Sequence, residues 1–156
     1  MALCLTLAQT QALCSHSQQT YPEECCGVLL GQWVGGDGIV VEVVAMENVW
    51  GRGEVGDLAS IGDRDGTDRR RNFALDPQAF LRVQRTAHDR HQQIIGIYHS
   101  HPDHPAIPSE FDRAIAWPEY HYLILAIEQG ERVTLKNWQL DDQGEFQPIP
   151  LHLANP

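Results

Sequence analysis

The chain has 156 residues, 11 Lys and Arg against 21 Asp and Glu, and a formal net charge of -10, which suits one domain spanning 1-156 and leaves no room for a second. Apolar residues make up 42 % and charged residues 21 %, so collagen-like, low-complexity and wholly disordered classes fall away. The negative surplus argues against nucleic acid or an anionic membrane as partner, because phosphate binding needs clustered Lys and Arg.

Leu5 to Gln18 places apolar residues at Leu5, Ala8, Ala12 and Leu13, and Tyr21-Pro22 stops the helix they predict. Met1 to Leu13 has no basic flank before its apolar residues and no small-residue cleavage site, so it does not read as a secretory signal. Cys4, Cys14, Cys25 and Cys26 fit neither a disulfide framework nor a two-pair zinc site, and are expected to be buried, reduced thiols. Cys26 to Val34 and Ile39 to Met46 are rich in Val, Leu and Ile, and Gly35-Gly36-Asp37-Gly38 between them predicts a hairpin. From Gly51 to Arg71, five glycines and ten charged residues show no hydrophobic period and end in Arg69-Arg70-Arg71. This predicts a long, mobile loop, either functional or an idle insertion.

Asp76-Pro77 predicts an N-cap and first helical residue, with Phe80, Leu81, Val83 and Ala87 continuing the helix to about His91. A strand follows from Ile94 to Tyr98. Pro108-Ser109-Glu110-Phe111-Asp112 opens a short helix toward Trp117. His121 to Glu128 and Arg132 to Leu140 form a hairpin turned at Gln129-Gly130, and a last strand falls near Phe146 to Leu151. Trp117, Tyr120 and Tyr122 are expected in the core. The longest apolar stretches, such as Tyr122 to Ile127, are far shorter than the roughly 18 to 20 residues that cross a bilayer, so a cytoplasmic location is the expectation. The order α-β-β-α-β-α-β-β predicts an α/β fold of the α+β type, with a curved, mostly antiparallel mixed sheet flanked by helices rather than a doubly wound parallel sheet.

Chemistry concentrates between His99 and Asp112, which hold three of the eight histidines. In an extended chain, His99 and His101 project from one face and can reach one ion. Ser109 and Asp112, three apart on the short helix, share a helical face. Return of that helix to the strand end would add a carboxylate to the two imidazoles, leaving a fourth tetrahedral position open, as in catalytic rather than structural zinc sites. The bland readings are a surface His-x-His and an N-terminal capping arrangement at Ser109 and Asp112. His104, between these residues, is expected to be a solvated loop histidine outside the metal set.

His99-Ser100-His101-Pro102, six residues, then Ser109-Glu110-Phe111-Asp112 closely resembles the pattern of the JAMM metalloproteases, or MPN-plus domain. Their upstream glutamate, often in Glu-x-Cys-Gly before an aliphatic run and Gly, is matched by Glu24-Cys25-Cys26-Gly27-Val28-Leu29-Leu30-Gly31. Physical reasoning leaves Glu23 and Glu24 open, since neighbouring residues of an extended chain face opposite ways; the resemblance selects Glu24. It covers about Thr6 to Leu140 and implies a compact bacterial-type member with the family's cytidine-deaminase-like sheet. It also implies one Zn2+ per chain, with His99, His101 and Asp112 as metal ligands, Glu24 as general base and Ser109 as oxyanion donor. Helix capping and oxyanion binding then make competing claims on the Ser109 hydroxyl. The implied activity is hydrolysis after the C-terminal glycine of a small ubiquitin-like or sulfur-carrier protein, and the alternative is a noncatalytic MPN-type scaffold. The oligomeric state is not legible.

Overall fold

The computed structural model describes residues 1–52 and 68–154. Most of the expected mobile loop, residues 53–67, lies outside the described residues. The elements are β1 (Leu3–Thr6), α1 (Leu7–Thr20), β2 (Cys26–Val34), β3 (Asp37–Met46), α2 (Pro77–Asp89), β4 (Gln93–Pro102), α3 (Glu110–Ile115), β5 (His121–Glu128), β6 (Arg132–Leu140), β7 (Phe146–Ile149) and β8 (Leu151–Ala154). No helix among them is long and apolar enough to cross a membrane.

Eight strands form one mixed sheet in the order β7-β6-β5-β4-β2-β3-β1-β8. The pairings β2-β3, β2-β4, β5-β6 and β6-β7 are antiparallel, while β1-β3, β1-β8 and β4-β5 are parallel. The two outermost strands, β7 and β8, are separated in the chain only by Pro150. Strands at opposite ends of a sheet can be chain neighbours only if the sheet curls until its margins approach, which makes this sheet nearly closed. Pro150 has no N–H to offer a ladder, so it breaks the expected single last strand into two.

Helix α1 covers one face of the sheet, where Leu13 meets Leu3, Leu5, Leu29, Ile95, Leu123 and Leu125. Helix α2 covers the other, where Ala87, Phe80 and Val83 meet Val28, Leu30, Ile94, Ile97 and Tyr122. Two expectations for the first helix need correcting. Leu3 to Thr6 is a strand with alternating burial, so helix α1 starts later, behind a Thr6–Gln9 capping box. Ala8 and Ala12 are exposed, because the inward stripe runs through Leu13 and Ser17.

A register shift in the β2-β4 ladder directs the site. Leu29 pairs with Gly96 but Leu30 pairs with Ile94, leaving Ile95 as the extra residue of a bulge. A bulge reverses the alternation of faces beyond it. Ile95 and Tyr98 therefore both belong to the α1 face, while Ile94 and Ile97 belong to the α2 face. Continuing at period two from Ile97, His99 and His101 point toward the α2 side, and Ser100 points back toward Cys25.

Candidate metal centre

Strand β4 runs to Pro102, beyond the expected Tyr98, so both histidines are held by ladders. Cys26 pairs with His99 on one side, and Ile124 and Ala126 pair with His99 and His101 on the other. His99 and His101 are 1 % and 2 % exposed, with their Nε2 atoms 3.0 Å apart. Helix α3 returns to this strand end as anticipated. Asp112 Oδ1 lies 3.3 Å from His99 Nε2, and its Oδ2 lies 3.3 Å from His101 Nε2. Glu24, also buried, faces the same pair, and Glu24, His99 and His101 each offer a ligand atom within 4.8 Å of the others. Two carboxylates thus address one pair of imidazoles.

The donor set fits a tetrahedral ion. Four ligand atoms at bond lengths of about 2.0 to 2.1 Å are about 3.3 to 3.4 Å apart, close to the separations among His99, His101 and Asp112. The Pro105 carbonyl lies 2.7 Å from His101 Nδ1; a carbonyl can only accept, so the proton sits on Nδ1 and the Nε2 lone pair faces the site. Burial alone would raise the Asp112 carboxyl, but the two imidazoles beside it, His99 foremost, outweigh it and hold the group well below the usual carboxylate range. A buried anion facing two imidazoles is the electrostatic complement of a cation.

The surroundings fix these side chains. Phe73 stacks on His99 at 4.3 Å, and Trp50 meets Phe111, next to Asp112, edge-on at 5.3 Å. Ser109 is the N-cap of α3: its Oγ accepts from Asp112 N at 3.0 Å, while its own N donates to Asp112 Oδ2 at 2.9 Å. The cap takes up a lone pair of the Ser109 hydroxyl oxygen. Ser100 Oγ accepts from Cys25 N at 2.8 Å, and Ser100 N donates to Cys25 O at 3.0 Å. The middle residue of His-Ser-His thus pins the segment that carries Glu24. Gly27 is required beside it, because a Cβ there would lie 2.3 Å from the Val44 carbonyl and 2.5 Å from the Tyr98 ring.

A cleft of about 800 Å³ opens onto the centre, lined by Glu24, His101, Ser109 and Asp112 and also by Pro22, Asp68, Arg70, Arg71, Asp103 and His104. His104 sits in the loop after β4. It is half-buried, stacks on His101 at 4.1 Å and donates from Nδ1 to the Pro102 carbonyl at 2.8 Å. Asp103, at φ 59°, accepts from Tyr21 Oη and from Gln129 N, which ties down the turn after His101. The three arginines separate: Arg70 and Arg71 line the cleft, whereas Arg69 turns its Nε to the Trp50 carbonyl at 2.8 Å.

Other expectations divide. All four cysteines are free, with Cys25 and Cys26 buried but Cys4 and Cys14 only half-buried. Burial pushes the Cys25 thiol up to about 11 and raises Cys26 as well, which suits packing and not a nucleophile. Tyr122 is in the core, but Trp117 is 61 % exposed, a correction to its expected burial. Helix α3 ends at Ile115, so the chain carries Trp117 out past the α2 face. Phe73 and Pro105 had no signal in the sequence. Period-two alternation would have placed Ser100 on the face opposite His99 and His101, though not its bonds to Cys25.

This cluster lies at the end of the central strands of a curved mixed sheet. The profile of Prok-JAB, the prokaryotic homologs of the JAB domain, matches residues 7–141, and the chain belongs to that family. It is 28 % identical over 149 residues to the desampylase of Haloferax volcanii, covering 92 % of this chain and 93 % of that one. It is 28 % identical over 132 residues to the CysO-cysteine peptidase of Mycobacterium tuberculosis, covering 84 % and 77 %. Among solved structures, a protein of Desulfitobacterium hafniense matches with TM-score 0.77 at 25 % identity, covering 99 % of this chain and 94 % of that one. A JAB1/MPN domain protein of Archaeoglobus fulgidus shares the fold, with TM-score 0.54 at 15 % identity and 97 % and 99 % covered.

Proposed function

We propose that this chain is a zinc-dependent peptidase or isopeptidase that cuts after the C-terminal glycine of a small ubiquitin-like or sulfur-carrier protein in the cytoplasm. The observation that carries the reading is the convergence of His99, His101 and Asp112 within 3.3 Å beside a buried Glu24. The relatives named desampylase and CysO-cysteine peptidase support a carrier-tail substrate.

His99, His101 and Asp112 would hold one Zn2+. Zinc so held lowers the pKa of a bound water toward neutrality and polarises a carbonyl. Glu24 takes the proton from the attacking water and returns it to the leaving amine. Ser109 directs its hydroxyl hydrogen to the oxyanion of the tetrahedral intermediate, a contact worth on the order of 3 kcal/mol for comparable donors. Pro105 keeps His101 in the tautomer that presents Nε2. Incubating the protein with a ubiquitin-like carrier extended by one cysteine beyond its C-terminal glycine should release the cysteine, and a chelator should stop the release. Turnover unaffected by exhaustive chelation, or no zinc bound after loading, would overturn the reading.

Arg70 and Arg71 supply positive charge at the cleft of a chain with net charge -10. Toward an acidic carrier, as the family resemblance implies, these arginines would offset repulsion between two anionic partners. Replacing both with glutamine should raise KM for the carrier about threefold or more at low salt, with the difference shrinking as salt rises. An unchanged KM across a salt series would make the arginines idle. Arg69 stays intact in this experiment because its side chain donates to the Trp50 carbonyl and does not line the cleft.

A further inference from the structure

Glu24 lies two residues before β2, where the sheet ladders have not begun. Its peptide groups are held from outside the sheet: Glu24 N donates to the Arg69 carbonyl at 2.8 Å, and the Glu24 carbonyl accepts from Asn48 Nδ2 at 3.1 Å. Asn48 uses its whole amide in this way. Nδ2 also donates to the Asn72 carbonyl at 2.9 Å, and Oδ1 accepts from Trp50 N at 3.1 Å and from Ala74 N at 3.2 Å. Two donors and two lone pairs thus meet four backbone groups.

Those four groups belong to segments that build the centre. Glu24 faces the imidazole pair, Phe73 sits between Asn72 and Ala74 and stacks on His99, and Trp50 packs against Phe111 beside Asp112. We propose that Asn48 is the positioning residue of the site, one amide that sets the general base in register with the walls behind the metal ligands. No other side chain supplies the same four bonds. Aspartate has no donor and would set a carboxylate against two carbonyls, serine and threonine have one hydroxyl, and glutamine is one methylene too long. A misplacement of about 1 Å in such a centre costs about a hundredfold in rate, so the effect belongs in turnover and not in substrate binding.

The inference rests on the reading of Glu24 as base, and the experiment separates the two. Asn48→Asp and Asn48→Ala are made in the full chain, alone and with Glu24→Gln, loaded with zinc and assayed on the cysteine-extended carrier. Amide exchange is followed by NMR. Each single variant should bind as much zinc as the parent, keep KM within about twofold and lose about ten- to a hundredfold in kcat. The Glu24 amide should exchange at least about tenfold faster while Val28 and Leu29 in the β2 ladder stay protected, a local effect that general destabilisation would not produce. In the Glu24→Gln background the further loss should be at most about twofold, because residues acting as one unit are not additive.

Unchanged kcat together with unchanged exchange at Glu24 overturns the proposal. So does a loss that is just as large when Glu24 is already glutamine. If Glu24→Gln by itself keeps its turnover, the base assignment falls. Exchange at the Glu24 amide then decides alone: faster exchange upholds the hold of Asn48 on that peptide, and unaltered exchange ends it.

Discussion

Replacing Glu24 with glutamine is expected to leave zinc bound and to lower kcat by about a thousandfold, within the range that a positioned general base contributes. Glutamine matches glutamate in size and makes no charged demand on its buried site, so the fold and the cleft persist. What is lost is the ability to take a proton from water and hand it to the leaving amine. The variant also decides between the two carboxylates that face His99 and His101. If zinc leaves together with turnover, Glu24 is a ligand; if near-normal rates persist, the base lies elsewhere. Zinc per chain and kcat on the cysteine-extended carrier are the two measurements required.

Asp112 faces the imidazole pair and closes the capping box of α3, and its variants should pull the two contacts apart. Asp112→Ala removes the carboxylate from the imidazole pair and also the capping box of α3. It should lose most metal affinity, abolish turnover, and lower the metal-free protein's stability by about 1 kcal/mol for the cap. Asp112→Asn keeps an oxygen that can accept from Ser109 N but loses the charge. It should lose metal and turnover to a similar degree while melting closer to the parent. Calorimetry of the metal-free proteins, with zinc titrations beside it, checks both. Zinc bound by Asp112→Ala at parental affinity would remove Asp112 from the ligand set.

Most of this architecture was legible where local chemistry dictates it. Gly35-Gly36-Asp37-Gly38 made the β2-β3 hairpin plain, although the turn itself is only Gly35-Gly36 and β3 already begins at Asp37, and Asp76-Pro77 marked the start of α2. The β5 and β6 boundaries fell where the apolar runs put them. Strand β1 was missed because four residues joined by parallel pairing carry too little period to stand out from the helix that follows. Trp117 was misplaced because an aromatic residue near a hairpin reads as core whether or not the chain turns it outward. The convergence of His99, His101 and Asp112 was legible as spacing: His-x-His gives one face of a strand, and Ser-x-x-Asp gives a helix start. Spacing could not show that a bulge at Ile95 sets which face receives the histidines. Nor could it show that Asn48, an unremarked polar residue after a strand, joins three segments that are distant in sequence.

The near-closure of the sheet has a consequence for how the molecule meets its own copies. β7 shields the outer side of β6 and β8 shields the outer side of β1, and both come from the stretch between Phe146 and Ala154. Unpaired strand rims are templates for pairing with another chain. Here one short terminal segment caps both rims, so the protection of each depends on the other. Fraying of that segment would uncover the outer sides of β6 and β1 together, two strand borders open to pairing with another chain.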